Sequence, residues 1–176
     1  AAAHSRHKTD AVPAKGSRII RAPMPADTPA RVTPRLARAA AAVGGEPDFR
    51  QPVRVYWEDT DAGGVVFYAN YLKFFERART EWLRARGIGQ QALREDTGAI
   101  FVVTDTQLRY LAPARLDDLL DVTVRVAEAG RASFALEQQA LRDGTLLAEG
   151  RIRIGCVDAT TLRPRRIPDS VIQAMP

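Results

Sequence analysis

QPVRVYWEDTDAGGVVFYANYLKFFERARTEWLRARG, residues 51–87, passes from a strand pattern through an acidic turn into a helix. Residues 52–57 (PVRVYW) alternate and are rich in β-formers, which predicts a strand. The polar stretch Glu58-Asp59-Thr60-Asp61-Ala62-Gly63-Gly64 predicts a turn. Beyond it Tyr71, Phe74, Phe75, Ala78, Trp82 and Ala85 recur at helical spacing, which predicts a helix from Asn70 to Arg86 stopped by Gly87. Arg77 and Glu81 stand at the spacing of an i,i+4 ion pair, and Glu76, Thr80 and Arg84 lie towards the other side.

Downstream, a short helix is expected near Gln90 to Asp96, and then the apolar period changes to two. Strands are expected at 100–111, 119–128 and 132–141, with Asp143-Gly144 as a hairpin signal before the last one. That last strand places Leu146, Ala148, Ile152, Ile154 and Cys156 on one face, and Glu149, Arg151 and Arg153 on the other. The short links predict a four-stranded antiparallel meander. The long helix has a wide apolar stripe that must be buried against the concave face of the sheet. The expected class is α+β: a long central helix wrapped by a curved antiparallel five-stranded sheet, an arrangement that resembles the hot-dog architecture. A single layer of sheet leaves apolar surface at its edges, so a homodimer or homotetramer is expected.

Upstream, residues 1–50 hold 13 Ala and 6 Pro, with Phe49 as their one aromatic residue. Such a segment cannot bury enough apolar surface to offset the entropy of ordering it, so it is expected to be a largely disordered extension. One short helix is expected inside it, with Thr33 as N-cap, Pro34 at the first position and Gly44-Gly45 at the end. The globular domain is assigned to residues 51–176. The extension carries 9 Lys/Arg against 4 Asp/Glu, which is the whole net charge of +5, and the domain carries 17 against 17. An electrically balanced domain does not present the basic face that a nucleic-acid backbone requires, so no nucleic-acid partner is expected. The single cysteine, Cys156, fits a reducing compartment, and a cytoplasmic protein is expected.

The domain contains no histidine, since His4 and His7 both lie in the extension. That removes Ser-His-Asp and Cys-His nucleophilic systems, His-ligated zinc and imidazole acid-base catalysis. Lys73 is its one lysine and Ser133 and Ser170 its two serines, and Cys156 falls on an apolar strand face. A carboxylate or a tyrosine is left to do any proton chemistry. The densest carboxylate cluster is Glu58, Asp59 and Asp61. A calcium loop starting at Asp59 would need a bidentate glutamate at its last position, where Asn70 stands. An aspartyl phosphatase reading would need alternating strands and helices after the cluster. A solvated acidic turn is the plain alternative.

The surroundings favour another chemistry. Gly63-Gly64 lets the backbone approach a ligand closely, and the chain then enters a helix whose first amides are unpaired at the positive end of its dipole. Such amides polarise a thioester carbonyl and hold the developing oxyanion, while a nearby carboxylate attacks it or activates water. Thioesters are reactive enough to need no histidine and no cofactor.

Residues 54–83, RVYWEDTDAGGVVFYANYLKFFERARTEWL, resemble the signature of the hot-dog acyl-CoA thioesterases related to 4-hydroxybenzoyl-CoA thioesterase, with the Tol-Pal-associated branch as the nearest match. A weaker likeness in strand order and in LAPARLDD, residues 111–118, continues to about residue 157. The resemblance implies an acyl-CoA substrate and an envelope-associated partner. It implies Asp61 as the catalytic aspartate of a TDxxG motif, and Tyr68 as the helix-start residue whose backbone N–H polarises the thioester. At that position the Tol-Pal branch commonly has His, and tyrosine is similar to the hydroxybenzoyl-CoA branch. Glu76, matching the helical glutamate of another thioesterase family, is read as part of a charged helix face with Arg77 and Arg79. Glu58 and Asp59 are read as turn charges. Arg109, Arg115 and Arg125 are available to coenzyme A phosphates without any being assigned. A non-catalytic acyl-binding or envelope scaffold on the same fold is the rival reading.

Overall fold

The computed structural model describes residues 45–175. The helix expected between Thr33 and Gly44 lies outside them. Five strands and three helices follow: β1 (Phe49–Arg54), α1 (Asn70–Arg84), α2 (Gln90–Thr97), β2 (Ala99–Tyr110), β3 (Leu119–Ala129), β4 (Ser133–Arg142), β5 (Thr145–Asp158) and α3 (Asp169–Ala174). The first strand thus straddles position 50 and ends before Tyr56. Trp57, expected in the strand, instead joins Glu58 and Asp59 of the expected turn in a 3-10 turn. The side chain of Asp59 is the cause: its Oδ2 accepts the Tyr56 N–H at 2.9 Å and curls the chain back. The C-terminal α3 has no counterpart among the sequence expectations.

Helix α1 forms where its apolar spacing predicts. Tyr71, Phe74, Phe75, Ala78, Trp82 and Leu83 are buried on one face. Each large side chain so buried is worth about 1.5–3 kcal/mol of apolar transfer. Ala85, expected on that stripe, is exposed, because the helix has already ended and Gly87 turns the chain at φ +77°. Glu81 pairs with Arg84 three residues on rather than with Arg77. Arg86 fixes the C-terminal segment: its guanidinium lies 5.0 Å from the Trp82 ring centroid, and its Nε donates to the Ala174 carbonyl at 3.0 Å.

The sheet is antiparallel throughout, in the order β1-β3-β4-β5-β2. This corrects the four-strand meander. Strands β3, β4 and β5 do form one, but β2 lies beyond β5, with Ala99 opposite Asp158 and Tyr110 opposite Ala148. The reason is the loop 111–118, too long for a tight hairpin. It leaves β2 by bonding the Leu111 and Ala112 amides to the Leu147 carbonyl at 2.8 and 3.1 Å. Its other end meets the chain just after β1, where the Val55 N–H donates to the Asp118 carbonyl at 3.0 Å. The loop therefore carries the chain across β5 and β4 to a place beside β1.

The concave face carries Leu120, Val122, Val124, Phe134, Leu136, Ile152 and Ile154, all buried under α1. At one point the helix and sheet approach too closely for any side chain. A Cβ on Gly150 would lie 2.9 Å from Leu108 Cδ1 and 3.0 Å from Phe75 Cε2. The convex face is charged instead, with Arg151 bonded to Glu137 at 3.0 Å and Arg153 to Glu128 at 2.8 Å. Among the described residues no helix is long and apolar enough to cross a membrane.

Candidate active site

The acidic turn is a small hairpin built on the backbone of Asp59. The Asp59 carbonyl accepts the Phe67 N–H at 2.9 Å and Nδ2 of the buried Asn70 at 3.0 Å. Two residues further out, the Asp61 N–H donates to the Val65 carbonyl at 3.0 Å, and Gly64, at φ +71°, returns its N–H to the Asp61 carbonyl. Thr60 and Val66 pair between these rungs. One element therefore joins the loop carboxylates to the first turn of α1. Asp59 itself is 2% exposed and serves as a cap, so it is a structural carboxylate rather than a solvated turn charge.

Asp61 sits at the hairpin tip, exposed to solvent. Its Oδ1 accepts the Gly63 N–H at 2.8 Å, and the carboxylate enters no ion pair among the described residues. Gly63 allows this close approach, since a Cβ would lie 3.0 Å from that same Oδ1 and push it aside. The second carboxylate oxygen is left for another partner.

The helix entry supplies unpaired donors. Ala69 caps α1 without a side-chain hydrogen bond. The Phe67 amide is taken by Asp59 and the Asn70 amide by the Phe67 carbonyl at 2.8 Å. Among the described residues, the amides of Tyr68 and Ala69 between them donate to no acceptor. Four residues of this segment, Val65, Val66, Tyr68 and Tyr71, line an open groove of ≈ 320 Å³ with Tyr110, Leu111, Ala112 and Pro113. Asp61 is one backbone hydrogen bond from that groove, through Val65. A carboxylate with a free oxygen, unpaired amides at a helix start and an apolar groove form a set suited to polarising a carbonyl and activating water.

The remaining sequence candidates go elsewhere. Glu58 is exposed. Glu76 is occupied by Arg79 at 2.6 Å and Thr80 at 3.1 Å. Arg79 is not on a charged face: it is 8% exposed, with Nη1 donating to Gln138 Oε1 at 2.9 Å, and burial lowers its pKa. Arg109 pairs with Glu149 and Arg125 with Glu137, whereas Arg115 enters no ion pair among the described residues. Cys156 is in the core, and burial pushes its thiol up. Sequence reasoning missed Tyr110, whose hydroxyl donates to the Tyr68 carbonyl at 2.9 Å. Its one sequence signal is a tyrosine at the end of a strand, just ahead of the Leu111-Ala112-Pro113 loop.

Comparison with known proteins places this geometry in context. The thioesterase-like superfamily matches residues 55–175. The chain is 46% identical over 125 residues to the acyl-CoA thioester hydrolase YbgC of Escherichia coli O6:H1, covering 70% of this chain and 92% of that protein. It is likewise 46% identical over 123 residues to the acyl-CoA thioesterase YbgC of Haemophilus influenzae, with 70% and 90% covered. Among solved structures, a probable thioesterase from Bartonella henselae superposes with a TM-score of 0.65 at 34% identity, covering 68% of this chain and 98% of that one.

Proposed function

The chain belongs to the thioesterase-like superfamily, and from that premise we propose that it hydrolyses acyl-CoA thioesters to a free acid and coenzyme A at Asp61. One observation carries the reading: an exposed carboxylate, which among the described residues pairs with no cation, shares a hairpin with a helix start whose Tyr68 and Ala69 amides donate to no acceptor among those residues. The acyl carbonyl lies against those amides, and the negative charge that develops on its oxygen is held by them. Asp61 removes a proton from an attacking water, or attacks the carbonyl carbon itself, and the carbon–sulfur bond then breaks to release the coenzyme A thiolate; in the second case water then cleaves the mixed anhydride on Asp61 to give the free acid and restore the carboxylate. A lost oxyanion donor costs such a reaction about 3–4 kcal/mol in barrier, so the amides matter as much as the carboxylate.

The catalytic domain begins with β1 at Phe49 rather than at residue 51, and the residues ahead of that strand are an extension to it. Two copies associate through the outer edge of β2. Supporting this, Val103 and Tyr110 on the inner face of that edge strand and Leu72 on α1 are 52%, 47% and 41% exposed. The protein works in the cytoplasm with a partner at the cell envelope, as the likeness to the Tol-Pal branch suggests.

The experiment is Asp61→Asn, assayed by thiol release from butyryl-, octanoyl- and benzoyl-CoA. Turnover falls by orders of magnitude while the circular dichroism spectrum stays that of the parent. Near-parental turnover in the variant removes Asp61 from the chemistry.

A further inference from the structure

The amides of Tyr68 and Ala69 are useful to an oxyanion only if they are held still, and α1 reaches this entry only from its far side, where the Leu72 N–H donates to the Ala69 carbonyl at 3.1 Å. They precede the first residue of the helix, and Ala69 has no side-chain cap. A further grip, on the Tyr68 carbonyl itself, comes from the sheet. Tyr110 is the last residue of β2, registered opposite Ala148 of β5, whose small side chain leaves its ring room on the concave face. Its hydroxyl donates to the Tyr68 carbonyl at 2.9 Å. Its ring meets the Tyr68 ring edge-on at 6.3 Å and the Tyr71 ring at 5.6 Å. Tyr71 is fixed in turn, its hydroxyl oxygen accepting the Ala114 N–H at 3.1 Å.

The carbonyl of Tyr68 and the N–H of Ala69 belong to one peptide unit. That unit is planar, and its two polar groups point in opposite directions. A hydroxyl that anchors the carbonyl therefore aims the amide away from itself, and polarises the unit so that the amide is a stronger donor. Burial, with the neighbouring Tyr68, raises the Tyr110 pKa, which keeps the hydroxyl protonated and donating.

We infer that Tyr110 is a positioning residue for thioester hydrolysis, setting through the Tyr68 carbonyl the direction and donor strength of the Ala69 amide, one of the two that hold the oxyanion. The inference rests on the reading of Asp61 and the helix entry given above. Among the described residues Tyr110 makes no hydrogen bond to Asp61, and its hydroxyl acts through the Tyr68 carbonyl. Its effect belongs to the transition state, because the charge it helps to hold develops there.

The test is Tyr110→Phe in the full chain, which keeps the ring packing and removes the hydroxyl. Using whichever of butyryl-, octanoyl- and benzoyl-CoA the parent hydrolyses fastest, kcat falls about tenfold, the rate equivalent of one hydrogen bond. KM stays within about twofold, and Tm moves by less than about 2 °C. In an Asp61→Asn background that retains bound substrate, the infrared carbonyl stretch of the thioester lies below its value in free acyl-CoA. Adding Tyr110→Phe moves it back towards the free value. Parental kcat in Tyr110→Phe, a rise in KM alone, a loss of rate that tracks a loss of Tm, or an unmoved carbonyl stretch overturns the assignment. If Asp61→Asn is inactive while Tyr110→Phe is normal, Tyr110 alone is wrongly placed. If Asp61→Asn is itself active, the reading of the whole site falls.

Discussion

Gly63 and Asp61 are held against each other from both sides: the Gly63 N–H reaches Asp61 Oδ1 at 2.8 Å, and a Cβ on Gly63 would stand 3.0 Å from that same oxygen. The glycine is needed for close approach rather than for its backbone angles. Gly63→Ala therefore displaces the carboxylate by a few tenths of an ångström without unfolding the hairpin. Turnover falls by roughly tenfold, as small misplacements of a reacting group do, with Tm close to that of the parent. Steady-state kinetics beside a thermal melt check this.

Gly150 is glycine for a different reason. A methyl group there would overlap Leu108 Cδ1 and the Phe75 ring, at a point where α1 packs on the sheet. Gly150→Ala overpacks this contact and costs about 1–3 kcal/mol, read as a lower urea midpoint with an unchanged m value. Catalysis at 25 °C stays close to parental, since no part of the Asp61 hairpin moves.

Arg79 and Gln138 form a buried polar pair whose members depend on each other. The guanidinium gives Nη1 to Gln138 Oε1, and Gln138 Nε2 reaches the carbonyls of Phe75 and Thr123 at 3.1 and 3.4 Å. Gln138→Leu leaves Nη1 of the buried Arg79 cation without its acceptor, while Glu76 still pairs with the same guanidinium, and costs about 1–3 kcal/mol. Combining it with Arg79→Met removes that cation, so the double variant is more stable than Gln138→Leu alone. Equilibrium denaturation of the two single variants and the double one gives the coupling directly.

Acid titration reports on Asp158, at the end of β5. The Thr161 N–H at 2.9 Å, the Thr161 hydroxyl at 3.0 Å and the Thr160 N–H at 3.1 Å all converge on its Oδ1, and they hold its carboxyl below the usual range. A folded-state pKa below the unfolded one stabilises the protein above the unfolded value, and that stability is lost as pH falls through the folded value. Tm thus declines below about pH 4, the ordinary aspartate range. Asp158→Asn cannot take part, so the gap between parent and variant narrows as the solution is acidified.

Side-chain periodicity made the faces of the elements legible. The Tyr71 to Trp82 stripe gave α1, and the alternation from Leu146 to Cys156 named the buried face of β5 correctly. Periodicity carries no information about which strand lies beside which, so the place of β2 was lost. The same limit hid the polar contacts made over long sequence separations. Arg79 stands among helix charges and reads as one of them, because its partner Gln138 lies 59 residues away. Tyr110 is 42 residues from the carbonyl it holds. The burial of Asp59 was invisible for another reason: a carboxylate that caps its own turn and one that faces solvent are written with the same letters.

The edge position of β2 also orders events during synthesis. This strand leaves the ribosome before β3, β4 and β5, yet its ladder partner is β5, the last of them. Ala99 has nothing to pair with until Asp158 has emerged. Through that interval the nascent chain carries a twelve-residue strand with both edges bare, the state in which β-rich chains are most prone to cross-pair with one another. Translation speed through β3 and β4 therefore sets how long each new molecule is at risk of aggregating.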